Sequence, residues 1–141
     1  MPETQGRLSA IALLFLRTGI GLNMAYLHGW GKLQTLLGAP QGFPDPLGIG
    51  WKNSLMGAVS GEFLCGILLA LGFASRIAAA GMAFTMGVAA FVVQGSNPWK
   101  SKELAIVYLI PAVYLMLMGP GRFSLDALLA PRLRALLGRG K

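Results

Sequence analysis

The chain has 141 residues, room for one domain and no second. Hydrophobic residues make up 55% and charged residues 12%, with a mean hydropathy of +0.62, so a water-soluble surface, which usually needs about 25% charge, is excluded. The net charge of +7 gathers near the C-terminal end and between apolar runs rather than among stacking aromatics, which argues for anionic lipid as the counter-charge and against nucleic acid.

The first apolar segment, about 8–27, approaches the roughly 20 residues that cross a hydrocarbon core. It reads as a retained helix rather than a cleaved export signal, because Arg17 interrupts it and no small-x-small site follows before His28. A charge at mid-helix costs on the order of 2.5–3.5 kcal/mol on insertion scales, so Arg17 needs a partner within the protein. Gly21, Met24, His28 and Lys32 follow it at intervals of three or four; if the helix continues past Gly29, these residues share one face. Residues 38–51 are too rich in proline and glycine for a helix and form the one long loop, with Trp30 and Trp51 at membrane-interface positions near its ends.

The second segment, about 54–73, carries Glu62 and, one turn on, Cys65, the sole cysteine, which reads as a packing residue and rules out a dithiol within one chain. Glu62 is the expected partner of Arg17, since a guanidinium can grip a carboxylate bidentately. The short connection Gly72-Phe73-Ala74-Ser75-Arg76 forces an antiparallel hairpin with the third segment, about 76–94. Gly57 and Gly61 on the second helix, and Ala79, Ala83 and Gly87 on the third, are spaced by four and predict faces along which helices approach closely in lipid. The fourth segment, about 104–119, opens at Glu103, has Tyr114 nearly in line with it, and contains Pro111, where a kink is expected. After Gly119-Pro120-Gly121, Ser124 is a candidate N-cap for an amphipathic interfacial segment over 124–138, in which Pro131 is an obstacle to one continuous helix.

These elements make an all-α fold: an antiparallel bundle of four transmembrane helices in one domain over 1–141, with a C-terminal amphipathic interfacial segment. Four crossings put both termini on one side. With the N-terminus inside, Arg7, Arg76, Arg122, Arg132, Arg134, Arg139 and Lys141 are cytoplasmic and outnumber Lys32, Lys52, Lys100 and Lys102 outside, the N-in, C-in orientation of a bacterial inner-membrane protein. Arg17, Asn23, His28, Lys32, Glu62, Glu103 and Tyr114 are the candidate intramembrane polar network, suited to a polar head group or a quinone ring. A lone histidine makes no metal site, and no cofactor signature is evident.

Several of these residues carry a resemblance to the DoxX family of small bacterial membrane proteins. The stretch from Arg17 to Gly21 followed by His28-Gly29-Trp30-Gly31-Lys32-Leu33 is similar to the family's first helix. Glu62 with Leu71-Gly72-Phe73 and Arg76 is similar to its second helix and turn, and Lys102-Glu103 to the start of its fourth. The most specific run is Gly119-Pro120-Gly121-Arg122-Phe123-Ser124-Leu125-Asp126. Where many members have a histidine near the end of helix three, this chain has Gln94. The resemblance implies a four-helix membrane protein of the kind named for a subunit of a thiosulfate–quinone oxidoreductase, associated in some bacteria with thiol and oxidative-stress systems. The leading expectation is therefore an accessory subunit of a quinone-linked redox system, with quinone as the ligand and a soluble or membrane redox partner as the electron source. The alternative is a non-catalytic scaffold or small-molecule carrier; a homo-oligomer through the glycine faces is open under either.

Overall fold

The computed structural model describes residues 2–38 and 42–137. Four helices are long and apolar enough to cross a membrane: α1 (Gly6–Leu37), α2 (Trp51–Leu71), α3 (Ser75–Val93) and α4 (Trp99–Met118). A fifth, α5 (Leu125–Leu137), follows the last crossing. All the described elements are helical, and the protein is a multi-pass membrane protein.

α1 runs ten residues beyond the expected end of the first segment. Leu33, Leu36 and Leu37 continue the apolar pattern, and nothing stops the helix before Gly38. At about 1.5 Å per residue its 32 residues are about 48 Å long, well beyond the roughly 30 Å of a hydrocarbon core. α2 begins at Trp51, directly after Gly50, whose φ of 94° ends the preceding loop. α4 runs through Pro111 without a break, and α5 runs through Pro131, so the anticipated split of the last segment does not occur. Ser124 does cap α5, its Oγ accepting the N–H of Ala127 at 3.1 Å. The side chains of Arg132, Leu133, Arg134, Leu136 and Leu137, and all of residues 138–141 with Arg139 and Lys141, lie outside the described residues, and the amphipathic face expected there goes with them.

The helices pack in chain order, α1 on α2, α2 on α3, α3 on α4, and α4 back on α1. The buried core is built of small and flexible side chains, among them Ala78, Ala79, Met82, Met86 and Ala90 of α3 with Ala105, Ala112 and Leu115 of α4. In lipid no hydrophobic effect drives helices together, so alanines that let backbones approach, and methionines that fill the remaining gaps, supply the packing. Large apolar residues such as Phe15, Ile77, Phe91, Ile110 and Leu117 face outward, where the acyl chains lie.

Glycine sets the register of the crossings, though not at all the expected positions. A Cβ on Gly29 would stand 2.6 Å from the backbone of Phe63, and Gly21 and Gly66 face one another. Gly61 lies hard against Thr85, and Gly81 against Cys65. Gly57 and Gly87, anticipated as contact positions, have open space where a side chain would be. The four-residue spacing was therefore right for Gly61 and Ala79 and wrong for those two: the helices meet near the middle of α2 and splay toward its N-terminal end.

Three wide turns interrupt the regular helices, at Met24–Gly29 in α1, Ser60–Leu64 in α2 and Ala89–Val93 in α3. Each is closed by a bond five residues back, from the N–H of Trp30 to Ala25 O, of Cys65 to Ser60 O and of Gln94 to Ala89 O. Such one-residue insertions shift the face that follows them and concentrate at functional sites.

Candidate functional site

The two charges expected to pair lie in different places. The turns in contact explain why: Gly21 sits opposite Gly66 and Gly29 opposite Phe63, so Arg17 is level with the end of α2 while Lys32 is level with Glu62. Side chains on a helix also lean toward its N-terminus. In antiparallel α1 and α2 that rule tilts Arg17 and Glu62 apart, and Lys32 and Glu62 toward each other. The Arg17–Glu62 pair is thus replaced by two separate polar centres.

The first is a clasp at the α2–α3 turn. Arg17, only 2% exposed, donates through Nη1 to Ala70 O at 2.8 Å and to Leu69 O at 3.3 Å, and through Nη2 to Phe123 O. It thereby satisfies carbonyls that the end of a helix leaves without partners, and its charge opposes the negative end of the α2 dipole. Gly72, left-handed at φ 73°, closes α2 with bonds from its own N–H to Leu69 O and from Phe73 N–H to Leu68 O. A side chain at Gly72 would collide with the guanidinium and with Ser124. Asp126 completes the clasp from α5: Oδ1 accepts the N–H of Ala74 at 2.7 Å, Oδ2 that of Ser75 at 2.9 Å, and its own N–H donates to Gly72 O. One carboxylate therefore caps the start of α3 while one guanidinium caps the end of α2. This is a physical reason for the run ending Phe123-Ser124-Leu125-Asp126: the Phe123 carbonyl and Asp126 complete the clasp, while the Ser124 hydroxyl bonds within its own segment and caps α5.

The second centre is the candidate ligand site. The ammonium of Lys32 pairs with Oε2 of Glu62, which is 5% exposed. The pair closes one end of a cavity of about 400 Å³ between the splayed halves of α2 and α3. Gly57, Gly61 and Cys65 from α2 and Phe84, Thr85 and Val88 from α3 line it, and Phe43, Leu47 and Ile49 of the loop cover it. Two of the wide turns contribute lining residues, Ser60 to Glu62 from one, Ala89 and Val93 from the other. Such a space suits an amphiphile whose ring or head group can accept from Lys32, donate to Glu62 and otherwise touch carbon.

The remaining candidates are dispersed. His28 lies edge-on to Tyr108, with ring centroids 5.6 Å apart, one helical turn from Lys32. Asn23 is exposed and donates to Gly19 O of its own helix. Glu103 is exposed, and Tyr114 is 46% exposed on the outer face of α4, so neither enters the interior. Sequence reasoning missed the contribution of the long loop. An apolar Phe43, Leu47 and Ile49 on the watery side of a membrane was the available signal, and Asp45 between two prolines marked a built turn.

Fold and site together define a polytopic helical membrane protein with a mainly apolar, amphiphile-sized cavity that ends on a half-buried ion pair. The DoxX family model matches residues 12–95, from α1 through α3, and the chain belongs to the DoxX family. Neither a curated protein nor a solved structure matches it.

Proposed function

We propose that the protein is an accessory subunit of a quinone-linked redox or oxidative-stress system in the bacterial inner membrane, and that its cavity holds the quinone head group. The observation that carries this reading is an ion pair, Lys32 with Glu62, at the end of a cavity whose remaining lining is mainly apolar, with Asn53, Ser54, Ser60 and Thr85 as its neutral polar residues. A quinone carbonyl accepts a hydrogen bond from the ammonium, a quinol hydroxyl donates one to the carboxylate, and Phe84, Val88 and Leu47 pack on the ring. A flat apolar ring with two polar edges matches that lining better than a sugar or a phosphate, which would bury polar groups without partners. The chain has one cysteine and so no dithiol of its own; electrons come from a partner protein or a bound reductant. The excess of arginine around the α2–α3 turn and after α4 favours these ends facing the cytoplasm, which puts the cavity in the outer half of the membrane.

The test is extraction of the protein in a mild detergent followed by mass spectrometry of the lipids that remain bound. Stoichiometric quinone that disappears in Lys32→Met and Glu62→Gln, with the fold retained, is the expected result. Repeated preparations of folded protein without quinone count decisively against the reading.

A further inference from the structure

The loop over the cavity is more than a connection. Residues 42–50 lie outside the four spans, yet Phe43, Pro44, Pro46, Leu47 and Ile49 all turn onto the cavity. Their arrangement depends on one carboxylate: Asp45 Oδ1 accepts the Ser54 hydroxyl at 2.6 Å and the N–H of Ile49 at 3.0 Å, and Oδ2 accepts the N–H of Gly50 at 2.8 Å. The carbonyl of Asp45 also accepts the N–H of Gly48 at 3.4 Å. Among the described residues the segment's other hydrogen bonds reach only the first turns of α2, through Ser54 to Gly50 O and Asn53 to Ile49 O. Among the described residues none ties it to α1, α3 or α4, so the Asp45 carboxylate and these two bonds are what join it to the bundle besides apolar contact.

We infer that residues 42–50 are a strap closing the aqueous end of the cavity, and that Asp45 is the positioning residue that holds it closed. Gly42 and Gly50, at φ 77° and 94°, flank the strap with backbone conformations that other residues rarely adopt. With Asp45 bonded, Phe43, Leu47 and Ile49 form a partial roof over the cavity that Lys32 and Glu62 also line, Leu47 and Ile49 leaving about half of their surface exposed. Without it, the bonds from Ile49, Gly50 and the Ser54 hydroxyl are lost, the strap keeps only its Gly50 and Ile49 carbonyl bonds to the start of α2, and water and small polar solutes reach the ion pair. An occupant that touches the roof adds apolar contact to the closed strap, so occupancy and closure reinforce one another. The inference rests on the proposed ligand reading only for the identity of that occupant.

Cys65 lines the same cavity and is the sole cysteine, so its reactivity reports access without any ligand. The full chain in lipid nanodiscs is treated with a charged, membrane-impermeant methanethiosulfonate, and modification of Cys65 is followed by mass spectrometry. Asp45→Ala and Asp45→Asn are expected to speed modification several-fold, because each takes away the charged acceptor that the Ser54 hydroxyl and the Ile49 and Gly50 amides share at the protein surface. Ser54→Ala, which removes one of the bonds, should give a smaller acceleration, and Asp45→Glu a partial return toward the native rate. Melting temperatures should stay within a few degrees, because the strap lies outside the bundle. Native-like labelling in folded Asp45→Ala overturns the inference, as does an acceleration that scales with loss of thermal stability across the series; should Asp45→Ala not fold, native-like labelling of Ser54→Ala overturns it equally. Protection of Cys65 by a short-chain ubiquinone would support strap and ligand together. Acceleration in the variants without such protection would keep the strap and remove the quinone.

Discussion

Arg17 and Glu62 should be energetically independent, and a double-mutant cycle measures this. Replacing Arg17 with Leu leaves Ala70 O and Phe123 O without the guanidinium, while Leu69 O keeps the N–H of Gly72. A buried Ala70 carbonyl without a partner costs about 1–3 kcal/mol, the part-buried Phe123 carbonyl less, and relief from holding a desolvated cation offsets part of that, so a net loss of about 2 kcal/mol is expected. Glu62→Gln separately leaves the half-buried Lys32 ammonium facing a neutral group and costs about 1–3 kcal/mol, below the range for a fully buried pair because solvent reaches the ammonium. Because the two sites share no partner, their effects should add to within about 0.5 kcal/mol. The cycle of Lys32→Met with Glu62→Gln should instead show a coupling of about 2 kcal/mol, the double variant recovering much of what either single change loses. Reversible unfolding in mixed micelles, followed by far-ultraviolet circular dichroism, gives all the required free energies. A coupling above about 1.5 kcal/mol between residues 17 and 62, or none between 32 and 62, would refute the assignment of the two centres.

Three further outcomes follow from particular contacts. Gly29→Ala should lower the melting temperature sharply, since the new methyl meets the backbone of Phe63 at 2.6 Å, whereas Gly87→Ala, with open space at that position, should leave it within a few degrees or raise it slightly. Asp126→Ala removes two acceptors from the start of α3 and should cost about 1–3 kcal/mol in the same unfolding assay, with Asp126→Asn less severe. The Asp45 carboxyl is held below its ordinary range, first by the Ser54 hydroxyl and then by the backbone amides of Gly50, Ile49 and Gly48. A depressed acid contributes its stabilisation above the unfolded value, about pH 4, and loses it as the pH falls through the lower folded value. In a background with Trp30 and Trp99 replaced by Phe, Trp51 emission should therefore be flat from pH 7 to pH 5 and shift below about pH 4, a shift absent from Asp45→Asn.

Much of the bundle was legible in residue order because the bilayer demands long apolar runs, and the two tight connections leave adjacent helices no choice but to run antiparallel. The N-cap at Ser124 was legible for a similarly local reason. What failed was registry. Placing Arg17 beside Glu62 assumed that two mid-segment residues lie at one depth, but α1 is longer than its apolar run and crosses α2 at Gly21, Gly66 and Gly29. The N-terminal lean of helical side chains, had it been applied to Lys32, would have pointed to the observed pair. The wide turns were not legible, since an inserted residue leaves no mark in composition or hydropathy. The roof was visible as apolar side chains in a polar loop, and only tertiary contact tells what they cover.

The clasp also bears on biogenesis. Phe123 lies 106 positions from Arg17, and the carboxylate that caps α3 follows three residues later. Throughout translation of the four crossings the guanidinium of the first is without its last acceptor, and the start of the third lacks its anionic cap. Synthesis through Asp126 thus supplies the last partners of the Arg17 guanidinium and of the start of α3, and a chain cut short before Phe123 leaves both without them.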